Sequence, residues 1–493
     1  MLRWIIGLLL LAALAAAGVA ALRTRDFTPP PLTQAGAFAA PPTLTVDAAA
    51  AAARLGQAIQ FRTVSVQDGE TQDLAPFAAQ RAWLEATYPA FHAAATRELV
   101  NGEGLLFTWQ GANPALPPIL LLAHTDVVPV EAWSQDQWTV DPWAGAVRDG
   151  FVWGRGAVDD KGSFIAIMEA AETLAASGFK PARTIIFAFG HDEEVSGLKG
   201  ATAMATLLRQ RGIKAWFCLD EGMVIVEKYP LTNTPVALIG VAEKGYGTLR
   251  VTAEAVAGHS STPPPDTAVT LLSEAIIRIH RMPIEMKLEG GPAIDMIRAL
   301  SPQLPLTIRA AAANEWLFSP VINQQLGADP RAAALLRTTV APTMLEGSVK
   351  ENVLPGRATA LINFRLHPRD TSARILESAQ AAVRGIPGVT VDWASPPNEA
   401  SPVSSTTSDS YALIAAVAGA AGGGAPVAPT LVLGATDSRH YAAVADNVYR
   451  FTPAVLSDDE IAGIHGVNEK LSVANVERMI RGYIHLLTAG AGG

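Results

Sequence analysis

Three carboxylates in a row, Asp192, Glu193 and Glu194 of "GHDEEVSG", stand at the end of the apolar run "TIIFAF". Other acidic and imidazole side chains fall at comparable places. "PPILLLAHTD" closes on His124 and Asp126, and "AWFCLD" closes on Asp220. The loop "GRGAVDDKG" carries Asp159 and Asp160 just ahead of a helical pattern, and "GIHGVNEK" carries His465. A lone acidic triplet is ordinarily a solvated loop, and a lone histidine beside a strand is ordinarily structural. Here three strand ends converge. In an open α/β sheet, ligands bind beyond the carboxyl ends of the strands. Carboxylates gathered at one dry edge repel each other, and a cation relieves that repulsion.

The donors are imidazole and carboxylate with no thiolate, which suits zinc, with manganese or cobalt as alternatives. His124, Asp159, Glu194, Asp220 and His465 are more ligands than one catalytic zinc needs. They suit two ions about 3.5–4 Å apart that share a carboxylate. Glu193, adjacent to a ligand, is then free to act as general base. Asp192 has no role in this scheme.

These residues need strands and helices to position them. Helical patterns cover 47–61, 161–178 and 472–487, and buried-strand patterns cover 117–126, 184–190, 215–219 and 429–438. Apolar strands alternating with helices predict an α/β domain with a mostly parallel sheet, built from 45–245 and 398–493. Between 246 and 397 the order is β-α-β-β-α-β, a ferredoxin-like α+β unit, interrupted by an extra segment at 282–336. Residues 4–22 are uninterrupted apolar sequence flanked by Arg3, Arg23 and Arg25. Residues 1–25 read as a membrane anchor or a signal peptide, which places the body outside the cytoplasm. Residues 26–44 read as a Pro/Ala-rich tether.

Composition narrows the function. The chain has 493 residues, 49% of them hydrophobic, which is ample for a globular core. A net charge of −9 without a basic stripe argues against a nucleic-acid partner. The single cysteine, Cys218, excludes an internal disulfide and a thiolate zinc cluster, and reads as a buried inert thiol.

"LLAHTDVVPV", "WGRGAVDDKG", "GHDEEVSG", "CLDEG" and "GIHGVNE" occur in order. With them the chain resembles the co-catalytic zinc peptidases, the family of carboxypeptidase S, aminoacylase, carnosinase and the glutamate carboxypeptidases. The resemblance covers about residues 45 to 490. With "GATDSRHY" it is nearest to carboxypeptidase S and the secreted N-fatty-acyl amino acid hydrolases. It implies that Asp159 bridges two zinc ions, with His124 and Asp220 on one and Glu194 and His465 on the other. It implies Glu193 as catalytic base and Asp126 as the group that orients His124. The inserted unit resembles the family's lid, or dimerisation, domain. There His259 of "AGHSSTPP" matches a histidine that polarises the substrate carbonyl, in many members from a neighbouring subunit of a homodimer. Asn352 and Arg365 match groups that bind substrate oxygen and its free carboxylate. The extra 282–336 segment departs from the compact members. The substrate implied is a peptide or an N-acyl amino acid.

Alternatives stay open at this point. Asp437 either lines the pocket or caps the next helix. Asp160 is either a carboxylate behind the ligands or a helix N-terminal charge. His367 and His440 have no settled role, and His191, His280 and His485 read as structural. A metal-dependent binding protein without catalysis is the competing function.

Overall fold

The computed structural model describes residues 2–29, 38, 42–67 and 70–492. Most of the expected tether, 30–37 and 39–41, lies outside them.

The strand Ile119–His124 is buried along its whole length. Its period of two sends Ile119, Leu121 and Ala123 to one face, among Phe107, Phe164 and Tyr449. Leu120 and Leu122 go to the other, among Met204, Cys218 and Tyr441. The neighbouring strand Ile185–Gly190 divides the same way, with Ile185, Phe187 and Phe189 on the first face and Ile186 and Ala188 on the second. A strand apolar on both sides is stable only when both faces are covered. The helices Ala48–Gln60, Lys161–Ala176 and Val473–Ala491 cover the first face, and Ala201–Gln210 the second. Each fully buried Phe or Leu contributes about 1.5–3 kcal/mol.

The resulting sheet has ten strands. Its centre is parallel: Ile119–His124 pairs in that sense with both Ile185–Gly190 and Phe217–Asp220, and Val448–Arg450 continues it. The hairpin Thr96–Val100/Gly104–Trp109 adds an antiparallel edge, so the sheet as a whole is mixed. Because the central strands run the same way, their C-terminal ends share one edge. His124, the loop after Gly190 and Asp220 all emerge there.

The inserted unit has its own antiparallel sheet, in the order Thr339–Glu346, Arg357–Leu366, Gly245–Glu254, Val389–Trp393. The helices Ala268–His280 and Ser372–Ala382 pack on it. This is the expected β-α-β-β-α-β unit. The extra segment behaves differently from a simple interruption of it. Its helices Pro292–Leu300, Leu306–Ala313, Glu315–Gly327 and Pro330–Leu336 leave the lid sheet. They pack instead with Val236, Leu238 and Ala428 of the large sheet and with Phe27. The N-terminal helix Leu2–Arg25 is long and apolar enough to cross a membrane by length and composition.

One buried ion pair ties the sheet to the site. Arg450 lies 3.3 Å from Glu243, both inaccessible to solvent. Glu243 also accepts from the Thr436 backbone N–H at 2.9 Å and so holds the turn that carries Asp437. Arg450→Met would leave Glu243 buried without its cation. Urea unfolding should then show a loss of about 3–5 kcal/mol. A loss below about 1 kcal/mol would mean that the pair does not hold this turn.

Candidate active site

Asp126 organises the edge. It is fully buried, and its Oδ1 stands 3.3 Å from His124 Nδ1. The same carboxylate accepts from the backbone N–H groups of Glu193 and Glu194, both at 3.2 Å. One side chain thus orients the imidazole and caps the tight turn Glu193–Val195. Asp192 also has work to do: it accepts from the Lys199 and Gly200 backbone N–H groups at 2.7 Å, closing the loop beyond the turn.

The Asp159 loop is held from the far end of the chain. Glu469 accepts from the N–H groups of Gly156 (2.9 Å), Val158 (2.9 Å) and Asp159 (3.1 Å), and pairs with Arg155 at 2.7 Å. Glu469 lies four residues after His465, so one short segment both fixes the loop and presents the imidazole. His465 itself adopts φ 57°, a left-handed conformation uncommon for residues with a side chain.

The geometry centres on Asp159. Its Oδ1 lies 3.0 Å from His124 Nε2 and its Oδ2 lies 3.1 Å from His465 Nε2. His465 Nε2 is also 3.1 Å from Glu194 Oε2. Two groups of donor atoms result, each within 4.8 Å: His124, Asp159 and Glu221, and Asp159, Glu194 and His465. Asp159 belongs to both.

Asp220, expected as a ligand, is in neither group. Its Oδ2 accepts from the Ser438 N–H at 2.8 Å and its Oδ1 from the Glu221 N–H at 3.0 Å. It is turned into the protein, and Glu221, one residue on, faces the other donors. The strand ends at Asp220 and the chain bends at Glu221, so the two adjacent acids face different ways and only one joins the donors. His259 and Asn352 are not brought into the cluster either. His259 is exposed on a two-residue hairpin strand paired with Val353–Leu354. Its Nδ1 faces Ser261, whose N–H donates at 3.1 Å. Asn352 lies beside it, its carbonyl accepting from the Ser260 N–H.

Asp437 is buried against the acidic turn. A Cβ at Gly190 would stand 2.3 Å from its Oδ2, and one at Gly197 2.1 Å from its Oδ1. Those two glycines are what let the carboxylate approach. Arg365 lies over the Tyr246 ring at 4.7 Å. Burial first, and the charge of Arg439 next, lower its pKa. Asp160 is fully buried behind the cluster, its Oδ2 accepting from the His124 N–H at 3.3 Å. His191 packs edge-on to Phe77. His440 is 3.1 Å from the Ser196 carbonyl. His367 is buried and accepts from the Arg369 N–H.

Electrostatics follow from this crowding. Burial would lower the His124 pKa, but hydrogen bonds to Asp126 and Asp159 outweigh it and hold the ring well above its usual value. His465 is raised to about 10 by Asp159 and Glu194. Asp159 is held low by the two imidazoles despite burial. Glu193, Glu221 and Asp437 are each pushed well above the carboxylate range, by burial first and by neighbouring carboxylates next. Among the described residues, Glu194 Oε1 is buried without a hydrogen-bond partner. The donors present fit divalent ions: imidazoles backed by carboxylates, whose protons a cation would replace, a shared carboxylate, and a buried oxygen that lacks a partner. Glu221, Glu469 and Arg439 are the members that the spacing of motifs did not single out. Asp126→Asn would keep the shape and remove the charge behind His124. Metal affinity measured by calorimetry should fall roughly 10- to 100-fold, and unchanged affinity would exclude Asp126 from that role.

Residues 120–489 match the model of Peptidase family M20/M25/M40. The chain is 35% identical over 436 residues to the N-fatty-acyl-amino acid synthase/hydrolase PM20D1 of Xenopus tropicalis, covering 87% of this chain and 84% of that one. It is 31% identical to carboxypeptidase S of Saccharomyces cerevisiae, covering 79% of this chain and 74% of that one. The fold matches the M20 family metallo-carboxypeptidase Sso-CP2 of Sulfolobus solfataricus with a TM-score of 0.63 at 16% identity, over 90% of this chain and 99% of that one. The chain belongs to peptidase family M20/M25/M40, and it is a metal-dependent amide hydrolase.

Proposed function

We propose that the protein uses two zinc ions to hydrolyse an amide bond next to a free carboxylate. The observation that carries this reading is Asp159, whose two oxygens face the two imidazoles separately. His124, Asp159 and Glu221 would hold one ion, and Asp159, Glu194 and His465 the other. Bound there, the ions would supply Lewis acidity toward the substrate carbonyl and an activated water. Manganese or cobalt would suit the same donors.

Glu193 is the proton carrier. Its turn is fixed by Asp126, and its carboxylate belongs to neither group of donor atoms. Its raised pKa favours holding a proton taken from water and passing it to the leaving amine. Asp437, close behind, adds to that shift. Arg365 of the lid suits a substrate carboxylate, because its guanidinium presents paired donors and its charge is already partly desolvated. Arg439 adds a second cation on the opposing turn.

The substrate class we favour is the N-acyl amino acid, on the strength of the N-fatty-acyl-amino acid relatives and the apolar N-terminal helix. That helix would anchor the chain, with the body outside the cytoplasm. Peptides trimmed from the C-terminus are the second reading, favoured by the similarity to carboxypeptidase S. The exposed placement of His259 and Asn352 supports a homodimer in which the lid of one chain completes the site of the other. The edge strand Thr339–Glu346, with Met344 and Leu345 exposed, offers a surface for pairing.

Glu193→Gln should keep both ions and lose roughly 10²- to 10⁴-fold in kcat, measured as amino-acid release from N-acyl amino acids and dipeptides. A near-normal rate would rule out Glu193 as the base. Mixing inactive Glu193→Gln with inactive His259→Ala should restore activity if the lid acts across a dimer. No recovery in a mixture shown to exchange subunits would confine His259 to its own chain.

A further inference from the structure

We infer that the extra helical segment is a membrane-docking surface: the face carrying Leu306, Trp316, Leu317 and Val321 lies in the headgroup and upper acyl region of a lipid bilayer. This rests on the anchor reading of the N-terminal helix and goes beyond it. An anchor alone requires nothing of the folded body.

The depth of the segment can be read from the helix. Between Arg3 and Arg25 only Ala16, Ala20 and Thr24 are partly covered, one stripe at a spacing of four. This helix packs against Leu306–Ala313. Asn314, fully buried, donates through Nδ2 to the Ala20 carbonyl and to Thr24 Oγ1, both at 3.1 Å. Arg23 pairs with Glu289 at 3.6 Å, and Phe27 is buried in the segment's core under Arg298. The foot of the helix is therefore fixed to the segment. At 1.5 Å per residue, Ala16 lies about 9 Å inside Leu22, where the apolar run ends. If that run enters a bilayer, the parts of the segment that cover it enter as well, to the depth at which interfacial helices settle.

The composition of the segment fits that depth. From Pro302 to Ala328 the only charged residues are Arg309 and Glu315. Glu315 is buried and accepts from the Leu288 and Glu289 N–H groups at 2.6 and 2.9 Å. The exposed large apolar side chains are Leu306, Trp316, Leu317 and Val321, and the exposed polar ones, Gln303, Thr307, Gln324 and Gln325, are uncharged. Trp316 Nε1 donates to Asn314 Oδ1 at 3.4 Å, and Asn314 in turn donates to the Ala20 carbonyl, so the indole sits near the level of Ala20. Tryptophan favours that level of a membrane. Arg23 and Arg25, at the end of the helix, would meet lipid phosphates.

The test uses the full chain in phosphatidylcholine vesicles. Tryptophan emission is quenched with acyl-brominated lipid and compared among the parent, Trp4→Phe and Trp316→Phe. The expected result is that each substitution removes part of the quenchable emission. A nitroxide on Val321→Cys should collide more with oxygen than with a water-soluble nickel chelate. Labelling there is selective because Cys218 is buried. Quenching at Trp4 with none at Trp316, and a water-like nitroxide at 321, would overturn docking and leave the anchor standing. Quenching at Trp316 without Trp4 would keep the docking face and remove the anchor. Neither tryptophan quenched would overturn both, as would a nitroxide shielded from both reagents by a second copy of the chain.

Discussion

Mutual repulsion among carboxylates at the edge of the sheet is the constraint on which the rest depends. Asp159, Glu193, Glu194, Glu221 and Asp437 are gathered where the parallel strands end, and several of them are pushed toward their neutral forms by burial and by one another. Asp159 alone is held ionised, by an imidazole on each oxygen. A carboxylate kept charged between two imidazoles suits a site for cations. A raised pKa is common to Glu193, Glu194 and Glu221, and what sets Glu193 apart is that it belongs to neither group of donor atoms.

The fold supplies the positions from widely separated stretches of chain. Parallel pairing brings His124 and the Glu193–Glu194 turn to one edge, and Asp126 locks them together through backbone N–H groups. Glu469 does the same for the Asp159 loop and His465. Glu243 and Arg450 hold the turn behind Asp437. Asp126, Glu469 and Glu243 are buried carboxylates that each accept from more than one donor, and removing a partner leaves an unpaired group in a dry interior. The site is thus built from the same interactions that close the domain.

Much of this was legible in the residues themselves. His124, Asp159, Glu194 and His465 follow apolar runs or Gly-rich loops, and the rule for ligand sites in α/β sheets predicts that they meet. Asp220 against Glu221 was not legible, because the strand ends between these adjacent acids and the bend that follows decides which of them faces the donors. Glu469 gives no sign in the sequence, since its role is to accept backbone N–H groups more than 300 residues away. The placement of the 282–336 segment depends on tertiary packing against Val236, Ala428 and Phe27, which helical periodicity does not encode. His259 and Asn352 show the opposite case, residues matched by motif that a single chain leaves exposed.

Metal stoichiometry tests the central claim most directly. Mass spectrometry of the zinc-loaded native chain and of Asp159→Ala would count the ions that each holds. A shared carboxylate predicts two ions in the native chain and weakened binding of both in the variant. One ion in the native chain, or two retained at unchanged affinity without Asp159, would contradict the bridge and the assignment of roles built on it.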